Sequence, residues 1–142
     1  MTQILRGMAT ISFFADDIAA AKKWYSELLG IEPYFQMPNA ENPAYIEFRI
    51  GDYQHELGII DSKYAPKSAT KGPGGAIALW HVDDIEAALE KVKAMGATEY
   101  DPLTKRGESG FVTASVVDPF GNILGLMYNP HYLKILDEMK NA

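Results

Sequence analysis

Glu56, in the stretch QHELGIID, is the carboxylate of this chain best placed to do chemistry. Alternation along that stretch sets Glu56, Gly58 and Ile60 on one side and Leu57 and Ile59 on the other. A carboxylate carried on the less apolar side of a strand can act as a general base or hold a cation. His55 is its chain neighbour and points to the opposite face, so the His-Glu pair cannot grip one metal ion. His81 ends another alternating stretch, two residues before Asp83. It reads either as the rim of a site or as a strand-end histidine satisfied by that aspartate. His131 opens a predicted C-terminal helix and is expected to be exposed. The chain has no cysteine, which excludes disulfides, thiolate metal sites and cysteine nucleophiles. No Ser-His-Asp arrangement can be argued from three histidines and scattered serines. The GPGG run at 72–75 lacks the Gly-Lys-Ser/Thr of a phosphate loop, and no G-x-G-x-x-G is present.

These residues need elements to position them, and the chain carries one positioning unit twice. In the second copy, Ala76, Ala78, Trp80 and Val82 share one face of a strand, and Ile77, Leu79 and His81 the other. Asp83 and Asp84 offer helix-capping side chains. Ile85, Ala88, Leu89, Val92 and Met95 follow at helical spacing, and Gly96 stands where a helix stops. In the first copy, Ile11, Phe13 and Ala15 oppose Thr10, Ser12 and Phe14. Asp16 and Asp17 offer the cap, Ile18, Ala21, Tyr25 and Leu28 form the stripe, and Gly30 is the stop. The copies lie about half the chain apart, which implies two tandem units and not a solenoid.

Each unit continues in the same order. QMPNAENP reads as a loop, and AYIEFRIG as a strand with Ile46, Phe48 and Ile50 opposite Tyr45, Glu47 and Arg49. Gly51-Asp52 reads as a turn before QHELGIID. An exposed linker spans 62–75. In the second unit LTKRGESG reads as a polar loop, FVTASVVD as a strand, PFGN as a turn and ILGLMYN as the last strand. PHYLKILDEMKNA, outside the repeat, reads as an amphipathic helix with Tyr132, Ile135, Leu136 and Met139 on one face.

The prediction is an α+β domain: two tandem β-α-β-β-β units (7–61 and 76–129), the linker, and a C-terminal helix (130–142). Helices are expected near 17–29 and 84–95. The sheets would be mixed, mostly antiparallel, and curved into an eight-stranded cleft. Thr10, Ser12, Phe14, Glu56, Gly58, Ile77, Leu79, His81, Gly125 and Met127 have the parity to line it. Glu56 beside Ile77 and Leu79 would have its pKa raised by desolvation. Phe14 is the aromatic best placed to touch a ligand, while Trp80, Tyr25 and Leu28 read as core.

With 142 residues, 47% of them apolar and 23% charged, the chain suits a compact globular protein with a real core. No apolar run is long enough to span a bilayer, and MTQILRGMAT holds no secretory leader, so a cytoplasmic protein is expected. The net charge of −6 argues against nucleic acid as a partner and is compatible with a cationic ligand.

ATISFFADDIAAAKKWYSELLG, its repeat IALWHVDDIEAALEKVKAMGA, the strand HELGII and the ending DPFGNILGLMYN together resemble the vicinal oxygen chelate superfamily. That superfamily includes glyoxalase I, bleomycin-resistance and fosfomycin-resistance proteins and extradiol dioxygenases. The resemblance runs from about 7 to 130. It implies a homodimer, and in metal enzymes one ligand on the first and last strand of each unit. Those positions here are Thr10, Glu56, Ile77 and Gly125, of which only Glu56 brings a strong ligand. The expectation is therefore a protein without a metal or other cofactor, binding a small organic molecule, cationic or aromatic, in the cleft. An open space is expected beside Gly125. The alternatives are a lyase, isomerase or dioxygenase-like enzyme, with Glu56 as base, and an accessory domain that responds to a metabolite.

Overall fold

The computed structural model describes residues 3–69 and 72–142, so positions 70 and 71 of the predicted linker lie outside the described residues. The chain divides into two compact units, Met1–Ala69 and Thr70–Ala142. Each is a four-stranded sheet with a helix on one face.

In the first unit the elements are β1 (Thr10–Ala15), α1 (Ile18–Leu29), β2 (Phe35–Met37), β3 (Tyr45–Ile50) and β4 (His55–Asp61). Sheet order is β1-β4-β3-β2. β1 and β4 run parallel with Thr10 opposite Glu56, and β3 and β4 run antiparallel with Arg49 opposite the same Glu56. Phe13, Ala15, Ile46, Phe48, Leu57 and Ile59 are buried against Ile18, Ala21, Trp24 and Tyr25 of α1. This is the predicted parity, with Trp24 joining the stripe. Asp17 caps α1 by accepting the Ala20 N–H at 3.0 Å. Gly30 ends the helix in the left-handed region at φ 69°, which costs glycine nothing.

The second unit holds β5 (Leu79–His81), α2 (Ile85–Ala94), β6 (Thr98–Arg106), β7 (Phe111–Val117) and β8 (Ile123–Tyr128), in sheet order β5-β8-β7-β6. α3 (Pro130–Lys140) follows. Ile85, Leu89 and Val92 of α2 are buried, as are Ala114, Val116, Leu124 and Leu126 of the sheet. Asp84 caps α2 by accepting the Ala87 N–H at 3.0 Å. At the far end, Gly96 and Ala97 donate to the Lys93 and Val92 carbonyls, a Schellman ending closed by the predicted glycine. Asp118 is buried and its Oδ1 accepts the N–H groups of Phe120 and Asn122, so DPFGN is a turn knotted on one carboxylate.

Four expectations need correction. Phe35–Met37 is a strand, so the loop after Phe35 begins later than predicted. Ser62–Tyr64, inside the expected linker, is a 3₁₀ turn capped by Asp61. β6 runs to Arg106, through the stretch read as loop; it is an edge strand whose register shifts on either side of Asp101, which accommodates Pro102 without a ladder hydrogen bond. β5 is only three residues long. Before it, the chain keeps one contact with β8, the Gly125 N–H donating to the Ala78 carbonyl at 3.2 Å. Among the described residues, no helix is long and apolar enough to cross a membrane.

Candidate functional site

Because β1, β3 and β4 turn their apolar residues toward α1, their polar residues share the other face. Register makes them neighbours. Thr10, Glu56 and Arg49 form one row across the sheet, Ser12, Gly58, Glu47 and Phe35 the next, and Phe14, Ile60, Tyr45 and Met37 the third. Glu56 is the hub. The Thr10 hydroxyl donates to its Oε2 at 2.7 Å, the Tyr34 hydroxyl approaches its Oε1 at 3.5 Å, and Arg49 Nη2 lies 3.4 Å from that same Oε1. Glu47 and Tyr45 stand on the same face of β3 as Arg49, and Glu56, Tyr34 and Tyr45 all bear on the acidity of Glu47. Gly58 makes room for this arrangement: a Cβ there would lie 2.7 Å from the Tyr45 hydroxyl oxygen.

The two carboxyls are pushed apart in acidity. The Thr10 hydroxyl, followed by Glu47, holds Glu56 below the ordinary carboxylate value. Lost solvation, followed by the hydrogen bond to Glu56, lifts Glu47 above it. Of the two, Glu47 keeps its proton to higher pH and Glu56 loses its own first. Tyr34 is pushed up to about 12, by desolvation first and by Glu47 second, and stays a neutral phenol. The expectation that Glu56 would be the carboxyl raised by desolvation is thus reversed: its neighbour takes that role, because Glu56 has the better donors.

The second unit places its predicted residues on the corresponding face of its own sheet. Leu79, Gly125 and Ser115 form one row, and His81, Met127 and Thr113 the next. Ile77 lies just ahead of β5. The space beside Gly125 is already filled: a Cβ there would lie 2.5 Å from the Ala78 carbonyl oxygen, 2.8 Å from Leu79 Cδ2 and 3.0 Å from Ile77 Cγ2. The expected opening is absent because the chain ahead of β5 lies across the glycine. His81 has both ring nitrogens engaged. Nδ1 accepts the Asn129 N–H at 3.1 Å, which leaves Nε2 to donate to Asp83 at 3.1 Å. Its ring stacks on Tyr132 at 4.7 Å, so the histidine ties the end of β5 to the start of α3.

Glu47, Arg49, Tyr34 and Tyr45 were not among the predicted site residues. Three of them had a signal, since the alternation in AYIEFRIG already put Tyr45, Glu47 and Arg49 opposite the core residues. Tyr34 precedes β2 and had none. On the second sheet Arg106 donates to the Thr113 hydroxyl at 3.0 Å and lies 3.4 Å from Asp101, a polar pair hidden by reading that stretch as loop.

The chain matches the family model for the Glyoxalase/Bleomycin resistance protein/Dioxygenase superfamily over residues 7–126. No curated protein matches it. Among solved structures it is similar to a glyoxalase-related enzyme from Fulvimarina pelagi, with 22% identity, a TM-score of 0.67, and coverage of 89% of this chain and 90% of that one. A superfamily member from Sphaerobacter thermophilus DSM 20745 gives 17% identity and a TM-score of 0.67 over 89% of this chain and 100% of that one. A lactoylglutathione lyase from Agrobacterium tumefaciens gives 18% identity and a TM-score of 0.64, covering 90% and 97%. At such identities the likeness is one of fold.

Proposed function

The chain belongs to the glyoxalase/bleomycin resistance protein/dioxygenase superfamily, and from that premise we propose that it binds a small organic molecule on the open face of its first sheet, without a resident metal. The observation that carries this reading is Glu56 with Thr10, Tyr34 and Arg49 gathered on it, beside Glu47 and Tyr45, on a face that its own helix leaves uncovered. A charged carboxylate ringed by hydroxyl groups, with Tyr34 and Phe35 presenting exposed aromatic surface, suits a molecule with an apolar body and a polar end.

The side chains at the superfamily's metal positions do not fit a divalent ion. Glu56 is a ligand by nature, but Thr10 offers only a neutral hydroxyl, a weak ligand, and Ile77 and Gly125 have no donor atoms in their side chains. Ser12 and Phe14 belong to the same open face as Glu56. Leu79, His81 and Met127 remain candidates on the second sheet, where His81, both nitrogens engaged and its side chain 8% exposed, would act by holding β5 to α3.

A second reading, a lyase or isomerase, has one observation in its favour: two neighbouring carboxyls pushed apart in acidity. In that reading Glu47, whose affinity for a proton is raised, exchanges it with substrate, and Glu56 orients it.

Mass spectrometry of the purified protein under non-denaturing conditions tests the binding reading. A co-purifying small molecule, retained by the parent and lost by Glu56→Gln with the fold intact, is the expected result. A molecule retained equally by both would remove Glu56 from the site.

A further inference from the structure

Arg49 is the only basic side chain that the described residues of β1–β4 place on the open face, since His55 has the opposite parity. Its guanidinium carbon lies 4.6 Å from the centre of the Tyr34 ring, and its Nη2 lies 3.4 Å from Glu56 Oε1. A carboxylate at the edge of an aromatic face is the pair of features that recognises a planar cation. Here the cation comes from the chain itself.

It is loosely held. The contact with Glu56 is single, not the two-pronged fork of a strong guanidinium–carboxylate pair, and longer than such bonds run. The Arg49 side chain is 46% exposed and that of Glu56 27%, and an ion pair this open to water is weak. Little holds Arg49 there against a competing group of the same chemistry.

We propose that Arg49 fills, from within, a cation-accepting corner made by Tyr34 and Glu56, and that the ligand of this face brings a planar amidinium or guanidinium group that takes its place. This rests on the reading of the first sheet as a ligand-binding face and names the class of molecule it accepts. Glu47 and Tyr45 follow Arg49 on the same face of β3 and border the corner. Arg49 then sets specificity. A neutral molecule meets no competitor, whereas a cation must displace one.

The experiment is a calorimetric titration of the whole chain with benzamidinium, and with benzamide as its neutral counterpart. Arg49→Ala should bind benzamidinium about tenfold more tightly than the parent, since the internal competitor is gone. The gain should vanish in Arg49→Ala combined with Glu56→Gln, and benzamide should be indifferent to Arg49. If Arg49→Ala folds poorly, Arg49→Gln keeps the length and loses the charge, and the same gain is expected. Equal benzamidinium affinity in parent and variant, no binding by the variant, or an equal gain for benzamide would each overturn the proposal. None of these results touches the broader reading, which the Glu56→Gln comparison on co-purified ligand tests separately.

Discussion

Glu56 and Glu47 are chemically the same residue, separated in behaviour by their neighbours. The sign of each contribution to stability follows. Glu56 has a depressed pKa, so its stabilisation is complete above the ordinary carboxylate value and is lost as pH falls through its folded value. Glu47 has a raised pKa, so above the ordinary value the unfolded chain gives up its proton first and stability declines until pH passes the folded value. Glu47→Gln removes that decline and can still donate to Glu56. Its urea midpoint should therefore gain on the parent's as pH rises above the ordinary carboxylate value; a constant difference would mean that folding does not raise Glu47. The glycines differ in the same local way. Gly125→Ala would drive a Cβ into backbone, the Ala78 carbonyl, and should cost about 1–3 kcal/mol by chemical denaturation. Gly58→Ala meets only the tip of the Tyr45 side chain and should cost less. Alternation was enough to place Thr10, Glu56 and Gly125 on the correct faces. It could not reveal that the Ala78 carbonyl crosses Gly125, or that the Thr10 hydroxyl donates to Glu56, because both depend on distances between strands far apart in sequence.

At the scale of elements, the helices were the most legible part. Each DD-I start and glycine stop carries a mechanism that acts within one turn. In both copies the second aspartate is the cap. Asp17→Ala and Asp84→Ala should each lower stability by about 1 kcal/mol, while Asp16→Ala and Asp83→Ala leave the helix ends intact; guanidinium or urea melts of the four variants distinguish them. The strands were less legible where turn residues stood inside a ladder. The charged run around Lys105 looked like a loop, yet an edge strand tolerates it, because one side of the strand faces no partner in its sheet. Conversely Ala76–Ala78 alternates well but lies outside β5, where β8 offers only one hydrogen bond. α3 owes its start to Asn129 and Pro130, and its first turn packs on His81 through Tyr132.

Over the whole molecule, the duplication legible in the sequence corresponds to two units of like topology, each with a parallel pair inside an otherwise antiparallel sheet. We propose a homodimer, since short edge strands such as β2 and β5 leave unpaired backbone that a two-fold partner can cover. Light scattering at micromolar concentration should give about twice 15.7 kDa; a mass of one chain would refute it. The central claim concerns the open face of the first sheet, and amide chemical shifts of the ¹⁵N-labelled chain, titrated with a panel of small aromatic amines and amidines, test it most directly. The account predicts that the shifts that move and saturate cluster at Thr10, Ser12, Tyr34, Glu47, Arg49 and Glu56, and that Glu56→Gln abolishes them. Saturable shifts confined to the second unit, or unchanged in Glu56→Gln, would contradict it.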